Sequence, residues 1–359
     1  SMYGNLKAGF AYTNRERDFG SRRFRYQFRS TSGIDMTQLP DDILVDENIT
    51  PDTFEIREDT RNTDTYTASH AVGGAYVMGD LTTGKWRFVG GLRYEDSDIE
   101  VLTFDAFDPD GQTIQSSVAD QDFMPALSAT YRLGDATNLR AAFSQSVNRP
   151  EFREVARVEV TDVVGGWSAR GNPSLESATI TNYDLRWEWF PSDYGVIAAS
   201  VFYKNFDNPI ERTLLLAVEL QSTWRNVESA SNLGAELEFR RNLGFVSEAL
   251  EPLTFQFNYT FVDSSIDVGS DDVIVTNTTR ALVGQPDHTS NLMLDWVQPS
   301  WGSAARILFN YSGEKIIEAG AFGIPDVMAE PYSTLDFIWQ QDLGSLAEGL
   351  GVKFSITNI

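Results

Sequence analysis

The chain has 359 residues, a net charge of −24, no cysteine and only two histidines, His70 and His288. Those numbers exclude disulfides, thiolate chemistry and a histidine-built metal or catalytic centre, and the acidity argues against a nucleic-acid partner. The hydrophobic content of 42% is ample for a folded chain, so disorder is excluded too. No apolar run approaches the roughly 18 residues of a transmembrane helix. No signal peptide is recognisable, and a strand-like stretch starts almost at once, which reads as a processed or excised piece.

Near the start Leu6, Ala8, Phe10 and Tyr12 alternate with Lys7, Gly9 and Ala11, the period of a strand. An acidic connection is expected over 19–65, then strands over 66–78 and 86–95 around a turn at 79–84. Residues 96–122 carry many carboxylates and no Lys or Arg; they read as a long loop. Strands over 123–133 and 138–146 flank a short turn at 134–137. The connection 147–180 is long and contains RPEF (149–152) and GNPSL (171–175).

The clearest strand follows. Over 181–190, Tyr183, Leu185, Trp187 and Trp189 alternate with Asn182, Asp184, Arg186 and Glu188, which gives one greasy face and one charged face. Pro191, Ser192 and Asp193 turn the chain back into 196–206. A loop with a short strand extension is expected over 207–221. Strands over 233–240, 254–263, 291–296, 304–312, 332–340 and 350–357 repeat the scheme.

Short breaks alternate with long connections throughout, so tight turns gather at one end and long loops at the other. Roughly 10-residue alternating segments joined in that way describe a transmembrane antiparallel up-and-down β-barrel. Its long loops share the outer side. Trp187, Trp189, Tyr194, Trp296, Trp301 and Trp339 suit aromatic girdles at the two interfaces. The pattern contains about thirteen strands; bacterial single-chain barrels have an even number. The expectation is therefore an all-β, partial barrel, incomplete at both ends.

At RPEF, GNPSL with TNYDLRWEWF, and FYKNFDNPI, the chain resembles the β-barrel of TonB-dependent outer-membrane receptors. GLRYED, MPALSATY, NVESASNLGAELEF, FNYTFVDS and a closing SITNI follow in the family's order. The resemblance covers nearly all of residues 1–359. It implies a bacterial outer-membrane location among lipid and active uptake of a scarce ligand, such as a siderophore, a vitamin or an oligosaccharide. It also implies energy delivered by the TonB complex through a preceding N-terminal plug, which is absent here. About 22 strands are implied, so about eight would precede this piece and one would follow it. A piece without its plug is not expected to transport.

A passive porin-like channel, a soluble β-sandwich or adhesin module and a secreted acidic hydrolase are the competing readings. No catalytic residue, metal site or cofactor is assigned. Acids sit beside bases in nearly every strand, as a wet wall requires. Asp108 to Gly111 lacks the spacing of a calcium loop. GNPSL reads as a structural turn. Ligand-binding candidates are loop aromatics able to stack on a sugar or siderophore ring: Phe104, Phe107, Trp167, Trp224 and Phe322. The acidic loops disfavour a free anionic ligand unless a cation bridges it.

Overall fold

The computed structural model describes residues 2–30, 33–104, 113–161, 167–192, 195–216, 220–268 and 275–358. The first long strand, β1 (Met2–Gly20), is followed by a hairpin of β2 (Phe24–Phe28) and β3 (Phe54–Glu58), with the one-turn helix α1 (Pro40–Ile43) between them. Four wall strands come next: β4 (Thr65–Thr83), β5 (Trp86–Phe104), β6 (Thr113–Gly134) and β7 (Thr137–Asn148). The connection after β7 holds a second short helix, α2 (Phe152–Val155), and the small strands β8 (Glu159–Thr161) and β9 (Ser168–Arg170). Wall strands β10 (Ala178–Trp189) and β11 (Val196–Asp207) lead into a loop hairpin, β12 (Ile210–Leu216) and β13 (Leu220–Asn226). The wall resumes with β14 (Ser229–Asn242), β15 (Leu253–Asp267), β16 (His288–Gln298) and β17 (Ser303–Ser312). A last loop hairpin, β18 (Lys315–Glu318) and β19 (Val327–Ala329), precedes β20 (Tyr332–Asp342) and β21 (Gly351–Ile356).

Thirteen of these strands form one meander, in the order β1-β4-β5-β6-β7-β10-β11-β14-β15-β16-β17-β20-β21. That is the strand number read from the sequence pattern. The pairings are antiparallel between chain neighbours, with β1 and β21 at the two edges. No helix among the described residues is long and apolar enough to cross a membrane.

The register fixes what each face carries. Leu185 pairs with Ala141 on one side and Val201 on the other, and Val201 pairs in turn with Ala235, which meets Phe261. The apolar residues thus line up across strands on one continuous face. They are open: Leu127, Leu185, Val201 and Leu237 are among the exposed large hydrophobics. On the opposite face Glu188 is buried. Apolar side chains outside and charged ones inside invert the order of a soluble protein, and fit a barrel whose outer belt meets hydrocarbon. Trp187, Trp189 and Trp301 stand exposed at the short-turn end, and the Trp296 and Trp301 rings pack 5.8 Å apart.

Several expectations need correction. β4, β5 and β6 run for 19, 19 and 22 residues, about twice the 9–11 that span a bilayer. The stretch 96–122, expected to be a loop, is mainly the upper part of the β5–β6 hairpin. Its carboxylates Asp96, Asp98 and Glu100 alternate with buried Ser97, Ile99 and Val101. Here the apolar set has changed sides. Below, Phe88, Leu92 and Tyr94 belong to the outer face; above, the acids take the outer face and Ile99 and Val101 turn inward. The change marks the end of the lipid belt, because the upper wall stands in water and hides its apolar side chains in a core of its own.

The connections are also more ordered than expected. The segment 19–65 contains the β2–β3 hairpin, 207–221 opens the β12–β13 hairpin, and the turn expected at 79–84 contracts to Gly84 and Lys85. β12, β13, β9 and β8 form a four-stranded sheet beside the wall. A bridge between Thr213 and Ala319 ties β12 to the segment that follows β18.

Placing a charge on the outer belt tests this assignment. Leu185→Arg is expected to cost about 2–4 kcal/mol, as for a basic residue at the bilayer midplane. Arg186→Gln, one residue away on the inner face, is expected to cost well below that. Folding into lipid vesicles across a urea series reads both, and equal costs would contradict the two-faced wall.

Candidate functional site

The inner wall and the connections above it form the candidate site. On the wall, Glu188 and Glu238 both face Ala198 in the register, and Arg186 and Glu236 both face Ser200. These small β11 residues leave room for long side chains to meet across them. Arg186 donates to Glu188 at 2.8 Å and, over β11, to Glu238 at 2.6 Å. Arg140 reaches Glu188 at 3.3 Å and Ser200 donates to Glu236 at 3.1 Å. Glu188 therefore meets two guanidinium groups, which suits a carboxylate in a shielded place.

RPEF begins where β7 leaves the wall. Arg149 lies between two strands, binding Glu95 at 2.8 Å and also Asp122. Arg93 holds the other oxygen of Glu95 at 2.7 Å. Pro150 ends the strand by removing a ladder donor, and one turn of α2 follows. Phe152 and Val155 enter a core with Tyr66, Ala68, Ile99, Val101 and Val118 of the upper wall. At the far end of this connection Ser177 donates to Asp120. The segment 147–177 is thus fastened at both ends to β5 and β6, on the inner side.

Beneath Phe152 sits His70. Arg15 donates to its Nδ1 at 2.8 Å, and its Nε2 lies 3.0 Å from Ser97 Oγ. Guanidinium groups only donate, so Nδ1 is the acceptor and the ring is neutral, with its proton on Nε2. The Phe152 ring stands edge-on at 6.4 Å, and the Arg15 guanidinium lies 5.8 Å from that ring. His70 lies above the lipid belt, level with the outward Asp98 and Glu100.

GNPSL forms a turn at Pro173 and Ser174, in keeping with its sequence, and that turn is also a junction. A Cβ on Gly171 would fall 2.1 Å from the Ala156 carbonyl oxygen and 2.7 Å from that of Arg153, so only glycine fits. Asn172 Oδ1 accepts from the Ser174 amide at 2.9 Å, while its Nδ2 donates to the Trp224 carbonyl at 3.0 Å. Leu175 is buried. Asn226 donates to the carbonyls of Glu176 and Asn208, and Asn208 adopts a left-handed φ of 60° at the start of the NP turn. Three motifs legible in the sequence therefore meet at one place.

Above them the cap is held by ion pairs. Arg280 and Glu211 form a two-armed pair at 2.9 and 2.7 Å, with side chains 3% and 1% exposed, and the Val283 amide adds a third donor to Glu211. Arg212 meets Glu318 at 2.9 Å, and Ser222 donates to Glu318 at 2.8 Å. Three connections, 207–228, 268–287 and 313–331, are joined in this way.

The aromatic candidates fall on separate elements. Phe104 is half-buried at the top of β5, Trp167 is 42% exposed just before β9, and Phe322 is 50% exposed in the turn between β18 and β19, with a φ of 55°. Trp224 on β13 has the Arg153 guanidinium 5.7 Å and the Arg212 guanidinium 5.6 Å from its ring, so it helps to hold the cap together. Phe107 and the Asp108–Gly111 stretch lie outside the described residues, as does the girdle candidate Tyr194. Among the described residues no cluster of His, Asp and Glu has the geometry of a metal site.

The family model for the TonB-dependent receptor-like β-barrel matches residues 2–359. The chain belongs to that family. It is an outer-membrane β-barrel chain of a transport family, not an enzyme and not a soluble sandwich. The wall superposes on the siderophore receptor PiuA of Acinetobacter baumannii with a TM-score of 0.68 at 13% identity, covering 99% of this chain and 49% of that one. For Fiu, the ferric-catecholate import receptor of E. coli, the TM-score is 0.64 at 15% identity, covering 100% of this chain and 48% of that one. For the ferric citrate transporter FecA it is 0.63 at 15% identity, covering 99% and 47%. The chain thus spans about half the length of these receptors, and likeness at such identities shows the fold. A comparison with curated protein sequences finds no match.

Two outcomes follow from the rim. Gly171→Ala is expected to loosen the segment 147–177 at a cost of about 1–3 kcal/mol, the usual range for an overpacked site; hydrogen exchange over α2 measures it. For His70, burial, and then Arg15 and Arg149 nearby, hold the pKa below the ordinary histidine value. The unfolded ring takes up its proton as pH falls below about 6.5, while the folded ring resists. Its contribution is therefore complete above about pH 6.5 and falls with acidification until the folded ring titrates. On acidification from pH 8 to 5, limited proteolysis of 147–177 is expected to accelerate more in the native chain than in His70→Gln, the difference being the share that His70 carries.

Proposed function

We propose that this chain forms the wall and part of the extracellular mouth of a TonB-energised receptor for a ferric siderophore. The observation that carries the reading is an outer-membrane wall of this family whose connections fold over the lumen side as a fastened cap, with the folds of siderophore receptors as its likeness. On this reading strands and a plug outside residues 1–359 complete the barrel and contact TonB. The thirteen-strand sheet with two unpaired edges supports that, since an unsatisfied edge is costly in hydrocarbon. Trp167 and Phe322 remain the candidate rings for a ligand, whereas Phe104 shares the outer-face parity of Asp98 and Glu100; a vitamin or an oligosaccharide is the alternative cargo.

Cells carrying the complete gene are expected to accumulate radioactive iron supplied as a siderophore complex, and a protonophore to abolish accumulation while leaving surface binding intact. Uptake indifferent to the protonophore would instead identify a passive channel.

A further inference from the structure

A cleft of about 970 Å³ lies away from the lumen, between β11, β14, β15 and the segment that leads into β16. Its wall residues Asn205, Ser231 and Ser265 carry the outer-face register, one and two steps above the belt residues Tyr203, Leu233 and Phe261. The cleft therefore opens sideways, just above the hydrocarbon, at the height of lipid headgroups. Thr278 and Thr279 line it from the connection that runs beside the upper part of β15, where the Ile266 amide donates to the Arg280 carbonyl.

The lining decides the chemistry. Ser229, Ser231, Ser265, Thr278 and Thr279 present hydroxyls, each able to donate and accept, and the Asn205 amide does the same. Tyr203 offers the edge of an apolar ring at the floor, the amphipathic surface that suits a pyranose. Glu228 adds an acceptor, and no Lys or Arg stands among the described lining residues. A phosphate or carboxylate would meet carboxylates here. A neutral, polyhydroxylated group would meet partners.

We propose that this cleft binds an uncharged saccharide unit from the headgroup of an outer-leaflet glycolipid. The sideways opening at headgroup height selects the membrane as the source over a dissolved sugar, because tethering in the bilayer supplies a high effective concentration to a site of modest affinity. The site is separate from the uptake route and does not rest on it.

The test uses the receptor purified whole from its own membranes, with bound glycolipid counted by native mass spectrometry. Ser231→Trp and Ser265→Trp fill the cleft from the outer wall. Gln115→Trp, an outward residue of β6 above the belt, is the control. Retained glycolipid is expected to fall at least threefold in the cleft variants and to stay unchanged in the control. Ser265→Ala with Thr279→Ala removes hydroxyls without adding bulk and is expected to give a smaller loss, which keeps the test valid should a tryptophan variant fold badly. Equal retention in all variants would overturn the site. In a second arm, delipidated receptor meets either glycolipid nanodiscs or the free oligosaccharide released from the same lipid. Recapture from nanodiscs with displacement only by millimolar oligosaccharide is expected; tight binding of the free sugar alone would overturn the membrane source.

Discussion

Within hydrocarbon a backbone donor or acceptor finds no water, so every strand must complete its hydrogen bonds with its neighbours and offer the lipid only apolar side chains. Most else in this chain depends on that constraint. It sets the period of two and the pairing of Leu185 with Ala141 and Val201. It also sends Arg140, Arg186, Glu188 and Glu238 to the inner side, where they answer one another. Where lipid ends the constraint ends, and β5 uses its freedom at once: acids go out, Ile99 and Val101 go in. The same backbone thus serves two solvents by exchanging the roles of its faces.

The connections inherit an inner apolar surface from that exchange. RPEF and the turn of α2 after it cover it with Phe152 and Val155 and are locked at Arg149; Gly171 of GNPSL packs against the Arg153 and Ala156 carbonyls with no room for a methyl group, and Asn172 ties it to β13. The Glu211–Arg280 pair then joins connections that are far apart in sequence. Breaking such a buried pair on one side leaves an unpartnered charge, which generally costs about 3–5 kcal/mol. These connections therefore stand together as one body above the wall.

The sequence made the wall legible because each spanning strand keeps one greasy and one wet face, so thirteen strands were countable from alternation alone. The upper half of the β5–β6 hairpin was not legible. A reader who follows Phe88, Leu92 and Tyr94 meets Asp96, Asp98 and Glu100 on the same parity and takes the strand to have ended. The alternation continues, but its phase has slipped. Glu211 and Arg280 lie 69 positions apart and leave no local signal. Aromatic identity marked Trp224, yet only the structure brings Arg153 and Arg212 to its ring. Motifs that act through their backbone, such as GNPSL, were recognisable as turns; what they join was not.

The sorting of side chains also gives the upper wall a direction in its electric field. Glu16, Asp98 and Glu100 share the register of the outer face, whereas Arg15, Arg93 and Arg149 lie on the inner side. A total charge of −24 describes the molecule seen from far away, beyond about one Debye length, roughly 8 Å at physiological salt. Closer in, an approaching anion is repelled by the carboxylates outside the rim, while on the inner side Arg93 and Arg149 are already answered by Glu95 and Asp122. The rim thus turns negative solutes away from its flanks, through carboxylates that, among the described residues, no inward guanidinium reaches across the wall.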